Sequence, residues 1–164
     1  MGMVCEFWAL TKEEIVNVSQ MSEDDYCENW LEEHLSDLDI DKAWDGLDYL
    51  MRHATEGDDF PLGFFHKGTP LGLLVGNWDD DDPGVRWFNA EETATIADFL
   101  DTFDRERLHR FFDPEKMDAE EIYPQIWKEE GEEAFDYLYS QFETLRVFFR
   151  QTANTGLCVM TAIS

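Results

Sequence analysis

Both ends of the chain carry a short apolar segment rich in strand-forming residues. VCEFWAL spans residues 4–10, and LCVMTAI spans residues 157–163. The second segment is apolar on both faces, which is typical of a strand buried on both sides. We expect the two strands to share one sheet. Because helical patterns fill most of the chain between them, the sequence predicts an α+β fold, mainly helical, with a small sheet.

Local start signals divide the region between these strands into helices. Thr11 and Glu14 have the spacing of a capping box, and so have Asn89 and Glu92. Asp113 is followed by a proline, as expected where proline takes the first position of a helix. Two long helices are predicted over about residues 23–35 and 132–153.

A hairpin is predicted near the middle of the chain. LGLLVGNW, residues 71–78, and VRWF, residues 85–88, are short apolar runs separated by the acidic tip DDDDPG. The preceding residues 55–72 combine glycine, proline and phenylalanine, which indicates an irregular but packed loop of a kind that often carries function. Because the sequence shows no linker or repeat, residues 1–164 are predicted to form a single domain.

The segment LDIDKAWDGLDYLM predicts an amphipathic helix with two stripes. Its apolar residues recur at helical spacing and indicate a face turned toward the core. They are Ile40, Ala43, Trp44, Leu47, Leu50 and Met51. Asp41, Asp45 and Asp48 form a neighbouring acidic stripe, which Arg52 continues four residues after the last of them.

The start and the middle of this helix give two further signals. Asp39 is a candidate N-cap, because negative charge is favoured at a helix N-terminus. Gly46 lies in the middle, where glycine costs about 1 kcal/mol relative to alanine. We therefore expect another element to pack close to the backbone at Gly46.

The acidic stripe has two interpretations, and the sequence leaves both open. Carboxylates at helical spacing can act as acid and base or bind a metal ion. Carboxylates at this spacing are also common on exposed helices, and we favour that interpretation unless another element covers the stripe. Asp41, Asp45, Asp48 and Arg52 are therefore candidate binding residues.

Two aromatic residues around a proline form the second part of this candidate site. The segment EIYPQIW places Tyr123 and Trp127 on either side of Pro124. Pro124 favours an extended backbone at Tyr123. Aromatic residues in such a turn either line a pocket or, more commonly, anchor a packed loop. Because they can line a pocket, Tyr123 and Trp127 are also candidate binding residues.

The charge of the chain restricts the partners that it can bind. Its 12 lysines and arginines face 38 aspartates and glutamates, which gives a net charge of −26. Such a charge repels nucleic-acid phosphates and anionic lipid headgroups, whereas it attracts basic proteins and favours a monomer. The first 82 residues hold 21 of the acids and only 4 of the bases. A large net charge is also an ordinary way for a protein to stay soluble and monomeric, so the sequence leaves two interpretations open, a basic protein partner or a charge that serves solubility alone. Binding of nucleic acid or membrane is not expected on either.

Cysteine spacing and the lack of targeting segments predict the compartment. Cys5, Cys27 and Cys158 fit neither a disulfide framework nor the C-x-x-C spacing of zinc and redox sites. No apolar run reaches the roughly 18 residues of a membrane span, and the first residues lack the features of a secretion signal. These observations predict a cytoplasmic protein.

No complete catalytic, cofactor or metal motif occurs in the sequence. The aspartate run 79–82 does not fit a calcium-binding EF-hand loop, because one register places Pro83 at position 5 and Ala90 at position 12. Glu106 and His109 have the Glu-x-x-His spacing of di-iron bundles, but no second copy exists. G-x-S-x-G, G-K-[ST] and G-x-G-x-x-G are also missing. The sequence therefore predicts no cofactor, no metal and no catalytic residue.

Three stretches of the chain resemble one known family. They are the MGM start with its strand, LDIDKAWDGLDYLM, and FDPEKM followed shortly by EIYPQIW. Together with the terminal helix, Gly156 and the final strand, they resemble the YfbM-like family of small bacterial proteins, a domain of unknown function. The resemblance covers almost the whole chain and implies a single compact α+β domain. It implies no activity and no catalytic residues, because none is established for the family.

Two classes of function remain. The first is a non-catalytic protein-binding module, for instance an immunity or inhibitor protein that blocks a basic partner through electrostatic complementarity. Strong negative charge, small size and the lack of a motif favour it. The alternative is a small enzyme, or a ligand- or metal-binding domain, with a site near Asp41, Asp45 and Asp48. Catalytic residues need only meet in space, so the lack of a motif leaves this alternative open.

Overall fold

The two terminal strands are neighbours in the computed structural model, which describes residues 2–71 and 84–164. β1 (Cys5–Leu10) pairs antiparallel with β5 (Cys158–Ile163), and every residue of β1 has a partner in β5. The prediction that the first and last strands share one sheet is therefore confirmed.

Three shorter strands complete the sheet within the described residues. They are β2 (Leu38–Asp39), β3 (Thr69–Pro70) and β4 (Val85–Phe88). The order is β2-β1-β5-β4-β3, and all neighbours are antiparallel. VRWF is thus a strand, as predicted. The other predicted hairpin arm, LGLLVGNW, lies outside the described residues except for Leu71, and so does the aspartate run 79–82.

Helices make up most of the rest of the described chain. They are α1 (Lys12–Ser19), α2 (Leu31–Glu33), α3 (Trp44–His53), α4 (Ala90–Leu100), α5 (Arg105–His109), α6 (Pro114–Ala119), α7 (Trp127–Glu130) and α8 (Glu132–Asn154). A π-helical segment, Asp25–Trp30, leads directly into α2, and 3-10 turns cover Asp41–Ala43 and Phe64–His66. None of the helices among the described residues is long and apolar enough to cross a membrane.

Cap geometry confirms the predicted helix starts. Thr11 accepts the Glu14 N–H at 3.2 Å in front of α1. Asn89 and Glu92 form a complete capping box at α4, because each side chain accepts the backbone N–H of the other. Asp113 accepts a backbone N–H in the first turn of α6. These helices begin where short-range sequence signals place them.

Helices cover both faces of the sheet. Successive residues of a strand point to opposite sides. In β1, Cys5 and Phe7 enter the main core with α3, α4 and α8, whereas Trp8 and Leu10 enter a second core beneath α1 and the π-helical segment. β5 contributes side chains to both cores, which explains why it is apolar on both faces.

The apolar stripe of LDIDKAWDGLDYLM lies in the main core, as predicted. Five of its six side chains are at most 1% exposed, and Trp44 is 7% exposed. The stripe therefore fixes which side of α3 faces the sheet and α8.

The helix begins later than predicted. Asp39 belongs to β2 and lies opposite Glu6 of β1, so the chain is still extended at this point. Its carboxylate accepts the Asp41 N–H at 2.6 Å. Asp39 therefore satisfies a backbone donor of the 3-10 turn and does not cap α3, because strand pairing with β1 holds it outside the helix.

Candidate functional site

Asp41 lies against the long helix α8. The Tyr137 hydroxyl donates a hydrogen bond to the Asp41 carboxylate at 2.8 Å and accepts the Lys42 N–H at 3.2 Å. Burial, and then the neighbouring carboxylate, raise the pKa of Tyr137 above its usual range. Asp41 has a φ of +51°, a conformation that aspartate tolerates better than most residues. Asp41 thus connects the 3-10 turn in front of α3 to α8.

Asp45 lies half-buried under the segment 121–127. Its carboxylate accepts the Tyr123 N–H at 2.8 Å. Burial raises the pKa of Asp45 above its ordinary value, and the Tyr123 hydrogen bond offsets part of that change. The second carboxylate therefore holds a loop that would otherwise leave a backbone donor unpaired.

Tyr123 connects this loop to the start of the chain. Its ring stacks on Trp44 with centroids 5.8 Å apart, and its hydroxyl oxygen accepts the Met3 N–H at 2.8 Å. The Trp44 indole donates to the Met3 carbonyl at 3.1 Å. The His66 ring meets the edge of Trp44 at 5.6 Å. Tyr123 is thus half-buried among packed groups.

Trp127 lies directly over Gly46. The indole is fully buried and donates to the Ile122 carbonyl at 2.7 Å. A Cβ atom on Gly46 would lie 2.6 Å from the Trp127 ring and 2.9 Å from a Leu138 methyl group. The predicted close approach at Gly46 is therefore confirmed, and the element responsible is the segment that also covers Asp45.

Asp48 is the most buried carboxylate of the stripe. Only 6% of the residue is exposed, and one oxygen accepts from Arg52 Nε at 2.6 Å. Arg52 also reaches Asp58 at 3.2 Å. The second Asp48 oxygen has no hydrogen-bond donor among the described residues. Through its contacts with Asp48 and Asp58, Arg52 connects the end of α3 to the loop that follows it.

Of the six candidate residues, Asp45, Asp48 and Arg52 belong to α3, Asp41 lies in the turn before it, and Tyr123 and Trp127 belong to the covering segment 121–127. Their polar atoms contact different elements. Asp41 faces α8, Asp45 faces Tyr123, and Asp48 faces Arg52. In residues 2–71 and 84–164, no three histidine, cysteine, aspartate or glutamate side chains are placed to hold a metal ion. The arrangement joins elements of the fold, and within the described residues its carboxylates do not converge on a common point.

The Glu-x-x-His pair of α5 has other partners in the structure. His109 Nε2 lies 2.9 Å and 3.1 Å from the two Glu132 carboxylate oxygens at the start of α8. Glu106 instead approaches Arg110 at 3.8 Å. The spacing of Glu106 and His109 therefore reflects two separate surface contacts.

A cavity on the second face of the sheet involves residues that sequence patterns did not single out. It has a volume of about 120 Å³ and lies between β1, β4, β5 and the helical segment before α2. Its wall includes Glu6, Trp8, Glu23, Tyr26, Leu31 and Val85. One signal was available: in VCEFWAL the charged Glu6 shares a strand face with Trp8, whereas Cys5 and Phe7 lie on the other face. The other walls come from distant parts of the chain.

The outer surface of this second helical layer is strongly acidic. We call its exposed carboxylates between residues 13 and 37 the acidic layer. They are Glu13, Glu14, Asp24, Asp25, Glu28, Glu32, Glu33 and Asp37. Lys12 is the only lysine or arginine in the sequence from residue 11 to residue 39. Leu35, 86% exposed, lies within the same stretch.

The three cysteines differ in burial. Burial raises the pKa of the Cys5 thiol to about 12, and it also raises the pKa of Cys158. Both are buried in the sheet, whereas Cys27 is exposed beside the cavity. Because the thiolate is the reactive form, Cys27 is the accessible nucleophile of the three.

One family model spans nearly the whole chain. It is described as a domain of unknown function (DUF1877), and it matches residues 1–162. The chain belongs to the DUF1877 family. The family resemblance noted in the sequence is thereby confirmed.

This DUF1877 member is similar to Protein YfbM of Escherichia coli (strain K12), with 29% identity over 173 residues and 99% of each chain covered. A crystal structure of YfbM from Escherichia coli, titled as a protein of unknown function, matches with a TM-score of 0.75 and 23% identity. The match covers 99% of this chain and 100% of that one. It shows the fold, a single-domain α+β structure, and carries no information on activity.

The variant Asp45→Ala of this DUF1877 protein tests whether Asp45 has a structural role or binds a ligand. We expect the variant to lose about 1–3 kcal/mol of unfolding free energy, because the Tyr123 N–H is left without its acceptor. The pKa of Asp45 is higher in the folded than in the unfolded protein. Asp45 therefore contributes fully to stability when the pH is below its pKa in the unfolded protein, and this contribution is lost as the pH rises through its pKa in the folded protein. The cost should therefore be larger at about pH 3 than at about pH 7, as measured by urea unfolding.

Asp45→Asn is the matched control, because its amide oxygen can still accept the Tyr123 N–H while the charge is removed. It should cost less than Asp45→Ala at both pH values. Unchanged stability in Asp45→Ala, together with loss of a bound metal or small molecule, would contradict the structural role and support the alternative function.

Proposed function

We propose that this DUF1877 protein is a non-catalytic protein-binding module of the immunity or inhibitor type, which acts as a monomer on a basic partner in the cytoplasm. The observation that supports this proposal is the acidic layer. None of its eight carboxylates has an ion-pair partner within the described residues. Their charge is therefore available to an approaching protein.

The other helical layer differs, because its basic residues compensate acids. There, arginine side chains of α5 and α8 contact carboxylates of the same layer. The ion pairs join Arg105 to Asp136, Arg146 to Glu143, and Arg150 to Asp98 and Asp101. Exposed acids without an ion-pair partner also occur in this layer, but lysines and arginines lie among them, whereas residues 13–37 contain eight exposed carboxylates and no lysine or arginine.

The physical consequence is a directional electrostatic field. Charges that have no internal partner accelerate encounter with a surface of opposite sign and suppress contacts with acidic proteins. Two copies of the acidic layer repel each other, so the protein should not dimerise through this face. An exposed leucine among the charges, Leu35, offers apolar contact once a partner has docked.

The alternative, an enzyme or a ligand- or metal-binding domain with a site near Asp41, Asp45 and Asp48, has weaker support. Each of these carboxylates accepts a hydrogen bond from another group of the fold. The observation in its favour is that burial raises the pKa of Asp45, a property shared with many functional acids. The Asp45→Ala experiment tests this alternative.

Charge neutralisation of the acidic layer tests the proposed function. The test variant combines Glu13→Gln, Asp24→Asn, Glu28→Gln and Glu32→Gln. The immobilised wild-type protein should retain a basic protein from a bacterial lysate at low salt and release it as ionic strength approaches about 1 M, where the Debye length is about 3 Å. After purification of that partner, the variant should bind it roughly ten- to a hundredfold more weakly, as measured by calorimetry.

A control variant carries the same loss of net charge on the other helical layer, through Glu115→Gln, Glu129→Gln, Glu130→Gln and Glu133→Gln. All four residues are exposed. The control should retain most of the affinity. Equal weakening in both variants would mean that net charge alone drives binding, and the absence of any salt-sensitive basic partner would refute the proposal.

A further inference from the structure

We propose that the cavity beside the acidic layer receives a lysine side chain of the basic partner. The inference rests on the proposed function and assigns one anchoring point within it. Lysine consists of an apolar stem and a compact cationic head, so a matching receptor needs apolar walls and a carboxylate at the same place. The cavity combines both.

The apolar part of the wall comes from five elements, one of which is β5 with Ala162 and Ile163. Trp8 of β1, Tyr26 of the π-helical segment, Leu31 of α2 and Val85 of β4 line it. Trp8 and Tyr26 are each only 3% exposed, and the Trp8 indole is fixed by donating to the His34 carbonyl at 3.0 Å. The walls are therefore preorganised, which lowers the entropic cost of binding a side chain.

Two carboxylates provide the charge. Glu6 and Glu23 line the cavity, and none of the described lining residues is lysine, arginine or histidine. Ser36 donates to one Glu6 oxygen at 2.8 Å and so orients this carboxylate. Glu23 is half-buried and forms no ion pair within residues 2–71 and 84–164. A half-buried carboxylate interacts more strongly with an ammonium group than an exposed one does.

The volume limits what can enter. The cavity of about 120 Å³ is smaller than the roughly 300–1,000 Å³ typical of sites for drug-sized ligands. The lysine side chain beyond Cβ contributes four heavy atoms, Cγ, Cδ, Cε and Nζ. The arginine side chain is longer and ends in a planar fork, and cofactors and nucleotides are far larger than this space.

The position of the cavity connects it to the proposed docking face. Glu23 is adjacent in sequence to Asp24 and Asp25 of the acidic layer, and Cys27 follows on the same segment. A lysine inserted beside Glu23 would thus belong to a partner surface that also faces the acidic layer. Central anchors surrounded by charged rims are a common arrangement in protein interfaces.

Protection of Cys27 from alkylation tests the inference in the intact protein. The probe is Nα-acetyl-lysine methylamide, and the readout is the rate at which iodoacetamide modifies Cys27. Cys5 and Cys158 are buried, so the reagent reaches the exposed Cys27 first. Saturating probe should slow the reaction severalfold. Nα-acetyl-norleucine methylamide, which has the stem but no ammonium group, should leave the rate unchanged.

Two matched variants locate the effect. Glu23→Gln should weaken probe binding roughly tenfold, as expected when one charge-assisted hydrogen bond is lost. Glu28→Gln lies on the same helical segment outside the cavity wall and should bind the probe nearly as well as the wild type. An unchanged Trp8 indole N–H resonance in the free variants verifies that the cavity is intact.

Octalysine binding distinguishes failure of this inference from failure of the proposed function. If octalysine binds in a salt-sensitive manner but neither probe protects Cys27, the lysine receptor is refuted while the basic partner remains. The same holds if Glu23→Gln and Glu28→Gln behave alike, or if free lysine binds better than the blocked probe. If octalysine also fails to bind, both proposals are refuted.

Discussion

Replacement of Trp127 by alanine is expected to lower the free energy of unfolding by about 3–5 kcal/mol, the range typical of a large aromatic side chain removed from a core. Trp127 is fully buried and lies over Gly46, and its indole satisfies the Ile122 carbonyl. The substitution creates a cavity between α3 and the segment that covers Asp45. Urea unfolding followed by circular dichroism measures the loss.

Trp87→Ala is the matched control, because Trp87 lies on β4 and is only half-buried. It should cost clearly less than Trp127→Ala. A second comparison uses Gly46→Ala, which should destabilise the wild type by about 1–3 kcal/mol through overpacking against the Trp127 ring. In the Trp127→Ala background the same change should become much less costly, because only the flexible Leu138 methyl group still has to move and alanine favours a helix by about 1 kcal/mol over glycine. Equal costs in both backgrounds would contradict the assigned contact.

Arg52→Met is expected to cost about 2–3 kcal/mol, because it leaves the buried Asp48 carboxylate without its cationic partner. The cost stays below that of a fully buried pair, since the Arg52 side chain is 40% exposed and water screens part of the interaction. Asp48→Asn should reduce the penalty, so that Arg52→Met becomes much less costly in that background. Chemical unfolding of the two single variants and the double variant gives the interaction energy.

Arg110→Met provides the comparison, because Arg110 forms an ion pair of the same i,i+4 spacing with Glu106 on the exposed surface of the protein. It should change stability by about 0.5 kcal/mol or less. If Arg52→Met and Arg110→Met cost the same, burial of Asp48 would not govern the strength of its ion pair.

Short-range signals explain the parts of the fold that the sequence predicts well. Caps such as Thr11 and Asn89 involve groups three residues apart, so their geometry follows from local spacing. The apolar stripe around Leu47 and the apolar residues on both faces of β5 predict which side chains are buried, because apolar residues recur at the spacing of a buried face. Gly46 also carried a readable signal, because a glycine in a helix interior is costly unless a neighbour requires the space.

Features that depend on distant partners were not predictable in the same way. The two-residue strand β2 exists because Leu38 and Asp39 meet β1, and nothing in LDIDK distinguishes this from the start of a helix. The spacing of Asp41, Asp45 and Asp48 could not show that Tyr137 contacts the first of them and the Tyr123 backbone the second.

The candidate lysine receptor was harder still to foresee. Glu6 and Glu23 lie on different elements, and two walls come from β4 and β5, far along the chain. Pattern analysis compares residues within one element, so it cannot assemble such a set. The one local signal was Glu6, a carboxylate within an otherwise apolar strand, and the sequence analysis did not use it.

The pairing of β1 with β5 has a consequence for biosynthesis. Cys5 lies opposite Ile163, so the ribosome must release nearly the whole described chain before the two strands can meet. β5 is also the centre of the sheet, between β1 and β4. Until then the nascent chain exposes Phe7 and Trp8 on opposite faces of the segment that becomes β1, and exposed apolar surface of this kind favours aggregation. The segment that follows β1 is strongly negative, and repulsion between such segments counteracts aggregation of nascent chains before β5 is synthesised.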